Sequence, residues 1–261
     1  MGINTNGSGF FNRYDEAYYI YGDCKLYCKY SRNGTPSVVF IAGLGDSCET
    51  WNLIQDQISE VASTFSYDRA GVGKSEGTSV PRTCKDLVNE MLELLLVHNM
   101  KSPFILVGHS FGGLIARLCG SLYPNLVSGI VLVDGVPEYK ELAYEKVLTG
   151  TLRVSNREYY ENPLLNHELI DKVASYEQIT QHSQLYDIPL SIITRGLPDR
   201  MEDTWPAQAI LEIEQKLQFD FQKLSTSSRH RIACCSGHNI HHDEPEIVIE
   251  EIMGILKEMK K

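Results

Sequence analysis

Apolar residues along this chain follow two alternating patterns. Short continuous apolar runs recur at 37–42, 64–68, 104–107, 129–134, 189–194 and 230–234. Between them lie stretches in which apolar residues return every three or four positions. Trp51, Leu53, Ile54, Ile58 and Val61 follow the first run, and Leu114, Ile115, Ala116 and Leu118 follow the third. Further helical patterns cover about 83–99, 206–224 and 244–259, the first opened by Thr83 with Asp86 three residues on, a capping-box pair. Continuous runs of this length read as strands buried on both faces, and the three-to-four spacing reads as helices laid on them. The alternation predicts an α/β fold: a mostly parallel central sheet with helices on both faces.

Two segments break the pattern. Aromatic-rich runs at 18–21 and 25–30 flank Gly22-Asp23 and predict a β-hairpin with Cys24 and Cys28 on one face. From Pro137 to about Asp187 there is no strand-like run, Glu and Tyr are frequent, and three or so helical stretches are predicted. This segment reads as a helical cap over the carboxyl edge of the sheet. The expected organisation is a core domain of 1–136 and 188–261 interrupted by a cap insertion at 137–187. Residues 1–9, polar and rich in Gly and Asn, read as a loose tail.

Composition narrows the function. A chain of 261 residues, 43% hydrophobic and 22% charged, suits one large α/β domain with an insertion. A formal charge of -10 argues against a polyanionic partner such as nucleic acid, whose phosphates such a chain would not neutralise. The seven cysteines are scattered without a C-x-x-C pair, as free thiols of a reducing compartment would be. Met1 to Asn6 carries no apolar leader and Asn6 breaks the myristoylation pattern; no membrane-spanning run occurs, and 257–261 lacks a prenylation cysteine. The expectation is a cytoplasmic protein with no membrane partner. Oligomeric state has no signal here.

The chemistry centres on Gly108-His109-Ser110-Phe111-Gly112, a G-x-S-x-G match set between an apolar strand and a helical pattern. That context predicts a strained strand-to-helix turn with Ser110 at positive φ, its Oγ raised above the sheet. A serine hydroxyl needs a base. His238 follows the last predicted strand and so lies at the same sheet edge, where open α/β sheets place their sites. His109 would point away within the turn, and His241 and His242 belong to the next helix. A metal site at His238, His241, His242 and Asp243 finds no completing ligand, and no cofactor is expected. Two aspartates end strands at the right edge, Asp134 and Asp199, and either could hold the Nδ1 proton of His238. Backbone N–H groups of Leu44, in a glycine-flanked loop, and Phe111 would form an oxyanion hole. Trp51 reads as helix packing. Ala70-Gly-Val-Gly-Lys-Ser75 ends like a phosphate-binding loop, but Asp68 stands where that motif needs glycine, and Glu76-Gly77 and Pro81 displace the required helix.

Together these residues resemble the α/β-hydrolase fold superfamily over essentially the whole chain from about residue 18. Asp68-Arg-Ala-Gly-Val-Gly-Lys-Ser75 is similar to the family's D-x-x-G-x-G-x-S segment, and Gly237-His-Asn-Ile-His-His-Asp-Glu-Pro-Glu246 to its catalytic-histidine segment. The resemblance implies Ser110 as nucleophile, His238 as base, and Leu44 and Phe111 at the oxyanion places. Serine rather than aspartate points away from haloalkane dehalogenases and epoxide hydrolases. Ala42-Gly43 replaces the family's usual His-Gly, and the usual acid loop is half present at Gly196 to Asp199; some members carry the acid at the place of Asp134.

The expected activity is that of a serine hydrolase cleaving a small-molecule ester, thioester or amide through an acyl-enzyme. A cofactor-free perhydrolase or C–C bond hydrolase would use the same residues, and a non-catalytic ligand sensor or protein-binding regulator is the reading outside enzymes. Tyr139, Tyr144, Tyr159, Tyr160 and Tyr176 are cap residues that either pack or line a pocket.

Overall fold

The structure is a computed structural model that describes residues 13–199 and 204–259. The tail expected over residues 1–9 lies outside the described residues. The chain begins with strands β1 (Asp15–Tyr21), β2 (Cys24–Ser31) and β3 (Ser37–Ile41), then helix α1 (Asn52–Ile58) and β4 (Ser63–Tyr67). Next come α2 (Cys84–Val97), β5 (Phe104–His109), α3 (Phe111–Leu122) and β6 (Val127–Val133). Helices α4 (Lys140–Tyr144), α5 (Gly150–Glu161) and α6 (Lys172–Gln181) precede β7 (Leu190–Arg195). The chain closes through α7 (Ala207–Phe219), β8 (Ser228–Ala233), α8 (Ile240–Asp243) and α9 (Pro245–Glu258).

Eight strands form one sheet in the order β1-β2-β4-β3-β5-β6-β7-β8. The pairs β1–β2 and β2–β4 are antiparallel and the remaining five are parallel, so the mostly parallel α/β sheet is observed. Successive residues of the central strands feed opposite cores, as period-two geometry requires. Val39, Leu106, Ile130 and Leu132 pack with Leu87, Met91, Leu114 and Leu118 of α2 and α3. Val38, Phe40, Ile105 and Val131 pack with Ile54, Ile58, Val248 and Ile252 of α1 and α9. Both faces are thereby covered, which is why these strands read as unbroken apolar runs. The predicted hairpin is present, paired from Asp15↔Tyr30 to Tyr21↔Cys24. The segment between β6 and β7 is helical, with α4, α5 and α6 where three or so helices were expected.

The elements differ from expectation mainly at their ends. The helix predicted from about 206 stops at Phe219 and passes into a tighter turn at Asp220–Leu224, and β8 begins at Ser228. Asp86 accepts the Thr83 backbone N–H at 2.8 Å, which fixes the start of α2.

The turn between β5 and α3 is closely packed. A Cβ on Gly108 would lie 2.5 Å from the Gly112 carbonyl oxygen, and one on Gly112 would run into the Ile41 carbonyl and lie 2.8 Å from that of Ala42. The helix therefore sits against the end of β3 without room for a methyl group. Gly112→Ala should destabilise the protein by about 1–3 kcal/mol through overpacking. Urea unfolding of the two proteins checks this, and equal midpoints would show that the turn has slack.

Candidate active site

Ser110 occupies the predicted turn with φ 50° and ψ −119°, outside the regions that L-residues favour. The bend is held by neighbours: the Ser110 N–H donates to the Val133 carbonyl at 3.1 Å, and the Ser110 carbonyl accepts from Gly113 and Val136, each at 3.0 Å. Phe111 opens α3, so its N–H has no helical acceptor one turn earlier.

Asp134 stands immediately beyond β6, buried, at φ 43°. Its Oδ2 accepts a 2.6 Å hydrogen bond from His238 Nδ1. Its Oδ1 accepts from Gln218 Nε2 at 2.9 Å and from the Arg195 backbone N–H at 3.3 Å. Burial alone would raise this carboxyl's pKa, but the His238 hydrogen bond and the charges of His238 and Arg195 hold it well below the usual carboxylate range. A carboxylate committed to Nδ1 fixes the imidazole's orientation and leaves Nε2 to accept a proton. Asp199, the other aspartate weighed, is paired with the Arg195 guanidinium at 2.5 Å and does not hold His238. Of the two, the chain brings Asp134 to the histidine.

Ser110, His238, Leu44 and Phe111 border one cavity of about 230 Å³. Tyr159 and Tyr176 of the cap border it as well. Tyr144 instead donates to Glu214, while Tyr160 stacks on Tyr176 at 5.7 Å and Tyr139 meets the Tyr176 ring edge-on at 5.6 Å. Trp51 is buried against Phe40 and His241, as packing predicted. The segment Asp68 to Ser75 binds itself rather than offering a phosphate cradle. The Asp68 carboxylate accepts N–H bonds from Cys48 at 2.6 Å and Lys74 at 2.7 Å, and Ser75 Oγ donates to the Asp68 carbonyl at 2.6 Å. Among the described residues no group of His, Cys, Asp and Glu is arranged to hold a metal ion.

Three parts of the arrangement escaped sequence reasoning. The first is a clamp on the loop carrying Leu44. Arg69, fully buried, donates to the carbonyls of Ala42 at 2.8 Å and Gly43 at 2.6 Å. Its Nε and Nη2 also bind both oxygens of buried Glu168, from the segment before α6, at 2.6 and 2.8 Å. Glu168 Oε1 in turn accepts the Gly45 N–H at 2.7 Å. The second is Gln218, which supports Asp134 from α7. The third is a buried histidine cluster beneath the site. His109 Nε2 faces the His238 carbonyl at 3.0 Å, and the His241 ring lies 4.3 Å from that of His109 and 4.8 Å from Trp51.

With this geometry described, likeness to known proteins adds the family. A family model for the alpha/beta hydrolase fold matches residues 36–185. The chain is 30% identical over 234 residues to the uncharacterized protein YqjL of Bacillus subtilis strain 168, covering 89% of this chain and 88% of that one. The structure of Cfl2 from Burkholderia cenocepacia superimposes with a TM-score of 0.67 at 14% identity, over 92% of this chain and 95% of that chain. A serine hydrolase involved in carbazole degradation gives 0.64 at 16%, over 94% and 99%. The chain belongs to the α/β-hydrolase fold family and is, at that level, a hydrolase.

Two predictions follow from the buried charges. Glu168→Gln removes one partner of a fully desolvated pair and should cost about 3–5 kcal/mol of stability. A denaturant series checks it, and a loss below about 1 kcal/mol would mean that the clamp is dispensable. Burial, together with repulsion from His109, His242 and His238, pushes the His241 imidazole down to about 2. An unfolded imidazole takes up its proton near pH 6.5. The unfolded chain therefore binds more protons below that pH, and the stability that neutral His241 provides is full above it and lost as pH falls. Between pH 6 and 5 the unfolding free energy should drop by about 1.2 kcal/mol on account of this residue. His241→Leu should flatten that slope, and an unchanged slope would exclude His241 as its source.

Proposed function

We propose that the chain is a serine hydrolase that cleaves a small carboxylic ester, with thioesters and amides open to the same chemistry, through an acyl-enzyme. The observation that carries this reading is the 2.6 Å contact between Asp134 and His238 at a cavity that Ser110 also borders. In this reading Ser110 Oγ attacks the carbonyl carbon while His238 Nε2 takes its proton. The charge that develops on the carbonyl oxygen is received by the N–H groups of Leu44 and Phe111, donors worth about 3 kcal/mol each in such sites. Collapse of the tetrahedral species breaks the bond to the leaving group, which departs with the proton from His238. Water then repeats the sequence on the acyl-enzyme and regenerates Ser110. Asp134 stays ionised throughout and stabilises the imidazolium; the buried pairing that lowers its pKa supports that role. The Arg69 clamp holds the Leu44 loop in place before substrate arrives, which supports an oxyanion hole at that position.

A fluorophosphonate probe should label the folded protein, and Ser110→Ala or His238→Ala should abolish labelling. Absence of labelling in folded wild type would end the serine-hydrolase reading. On a p-nitrophenyl ester, Asp134→Asn should lower kcat by about 10³–10⁴-fold, the scale seen when a triad carboxylate is neutralised. Asp199→Asn should stay within a few-fold of wild type. Equal losses in the two would remove Asp134 from its assigned role.

A further inference from the structure

The cavity at Ser110 carries three charged side chains, Lys140, Glu141 and Lys172, beside Tyr159 and Tyr176, where most small-molecule pockets are lined mainly by apolar groups. Lys172, the first residue of α6, is 4% exposed and reaches this cavity. Its Nζ lies 3.1 Å from Glu141 Oε1 and 3.3 Å from the centre of the Tyr159 ring. An ammonium has three N–H donors, and Glu141 and the ring face account for two directions. Glu141 is itself engaged twice, since Tyr176 donates to its Oε2 at 2.9 Å. Lys140, at the start of α4, borders the same cavity and sits 3.3 Å from Glu214 Oε1. Glu214 does not line the cavity and is shared with Arg195 at 2.5 Å and with Tyr144.

Two lysines and one glutamate of this cluster therefore line the space beside Ser110. Burial pushes the Lys172 ammonium down to about 8 despite Glu141, so the carboxylate at hand does not offset the desolvation of the cation. A second anion beside Nζ would. At about 230 Å³ the space is smaller than the roughly 300–1,000 Å³ of drug-sized sites. What fits is a short chain ending in a charged acceptor.

We propose that this hydrolase acts on small esters bearing a carboxylate a few bonds from the scissile carbonyl, such as half-esters of short dicarboxylic acids, and that Lys172 recognises that carboxylate with Lys140 adding to the field. The inference rests on the serine-hydrolase reading and refines its substrate. The alternative, that Lys172 and Glu141 merely brace the cap, makes a different prediction: loss of the lysine would then affect charged and neutral esters alike.

The decisive comparison is between monomethyl glutarate and methyl pentanoate, equal in length and differing in the terminal carboxylate, with hydrolysis followed by pH-stat. Wild type should favour the charged ester by about ten- to hundredfold in kcat/KM, the scale of one charge-assisted hydrogen bond. In Lys172→Met the preference should vanish, the ratio of kcat/KM for the two esters falling to about one. Should that variant fold poorly, wild type still decides: glutarate should protect Ser110 from the fluorophosphonate and pentanamide should not. Equal kcat/KM on the two esters, in a protein that does label at Ser110, overturns the substrate assignment and leaves the hydrolase reading standing. So does equal protection by the two competitors, or a Lys172→Met loss shared by both esters. A folded protein that does not label at all overturns both.

Discussion

The buried pairing of Arg69 with Glu168 is the contact on which the geometry of the site depends. It joins three stretches: the end of β4, the loop carrying Leu44, and the segment leading into α6. Removing two charges from water is expensive, and the mutual attraction offsets it only when the remaining donors and acceptors are filled. Here they are filled by the carbonyls of Ala42 and Gly43 on the arginine side and by the Gly45 N–H on the glutamate side. Because those partners belong to the Leu44 loop, the ions can be satisfied only when that loop is in one conformation. The segment between β6 and β7 and the sheet are held by the same bonds. Lysine in place of Arg69 could not reproduce this, since a point charge lacks the planar fork that reaches two carbonyls and a carboxylate together.

The fold was legible because the sheet is covered on both faces, so each central strand had to be apolar along its length. Ser110 and its elbow were legible for a related reason: a strand, a tight turn and a helix must follow one another in sequence to make that bend. The acid was not, because Asp134 and Asp199 each follow a strand at the correct edge and nothing local distinguishes them. What separates them is Arg195, which takes the Asp199 carboxylate, and Gln218, which meets Asp134 from α7. Glu168 was equally hidden, as one acidic residue among many in the cap. Arg69 had a faint signal, lying inside a segment already singled out, but its partners are remote. Interactions set by the packing of distant segments leave no spacing to read.

The histidines show how position decides role within one residue type. His238 is partly exposed beside a carboxylate, whereas His109 and His241 are buried against each other and Trp51, where the charged form is disfavoured. His109 and His241 thus serve as polar packing, with His109 also touching the backbone of the His238 loop.

The contacts at the site span long stretches of chain: 104 residues between Asp134 and His238 and 99 between Arg69 and Glu168. Closing loops of that size carries an entropic penalty that must be met before any of these contacts can form, so they belong to the late, global stage of assembly. A chain truncated before β8 would accordingly lack His238 and could not close its contact with Asp134, however well its first half had collapsed.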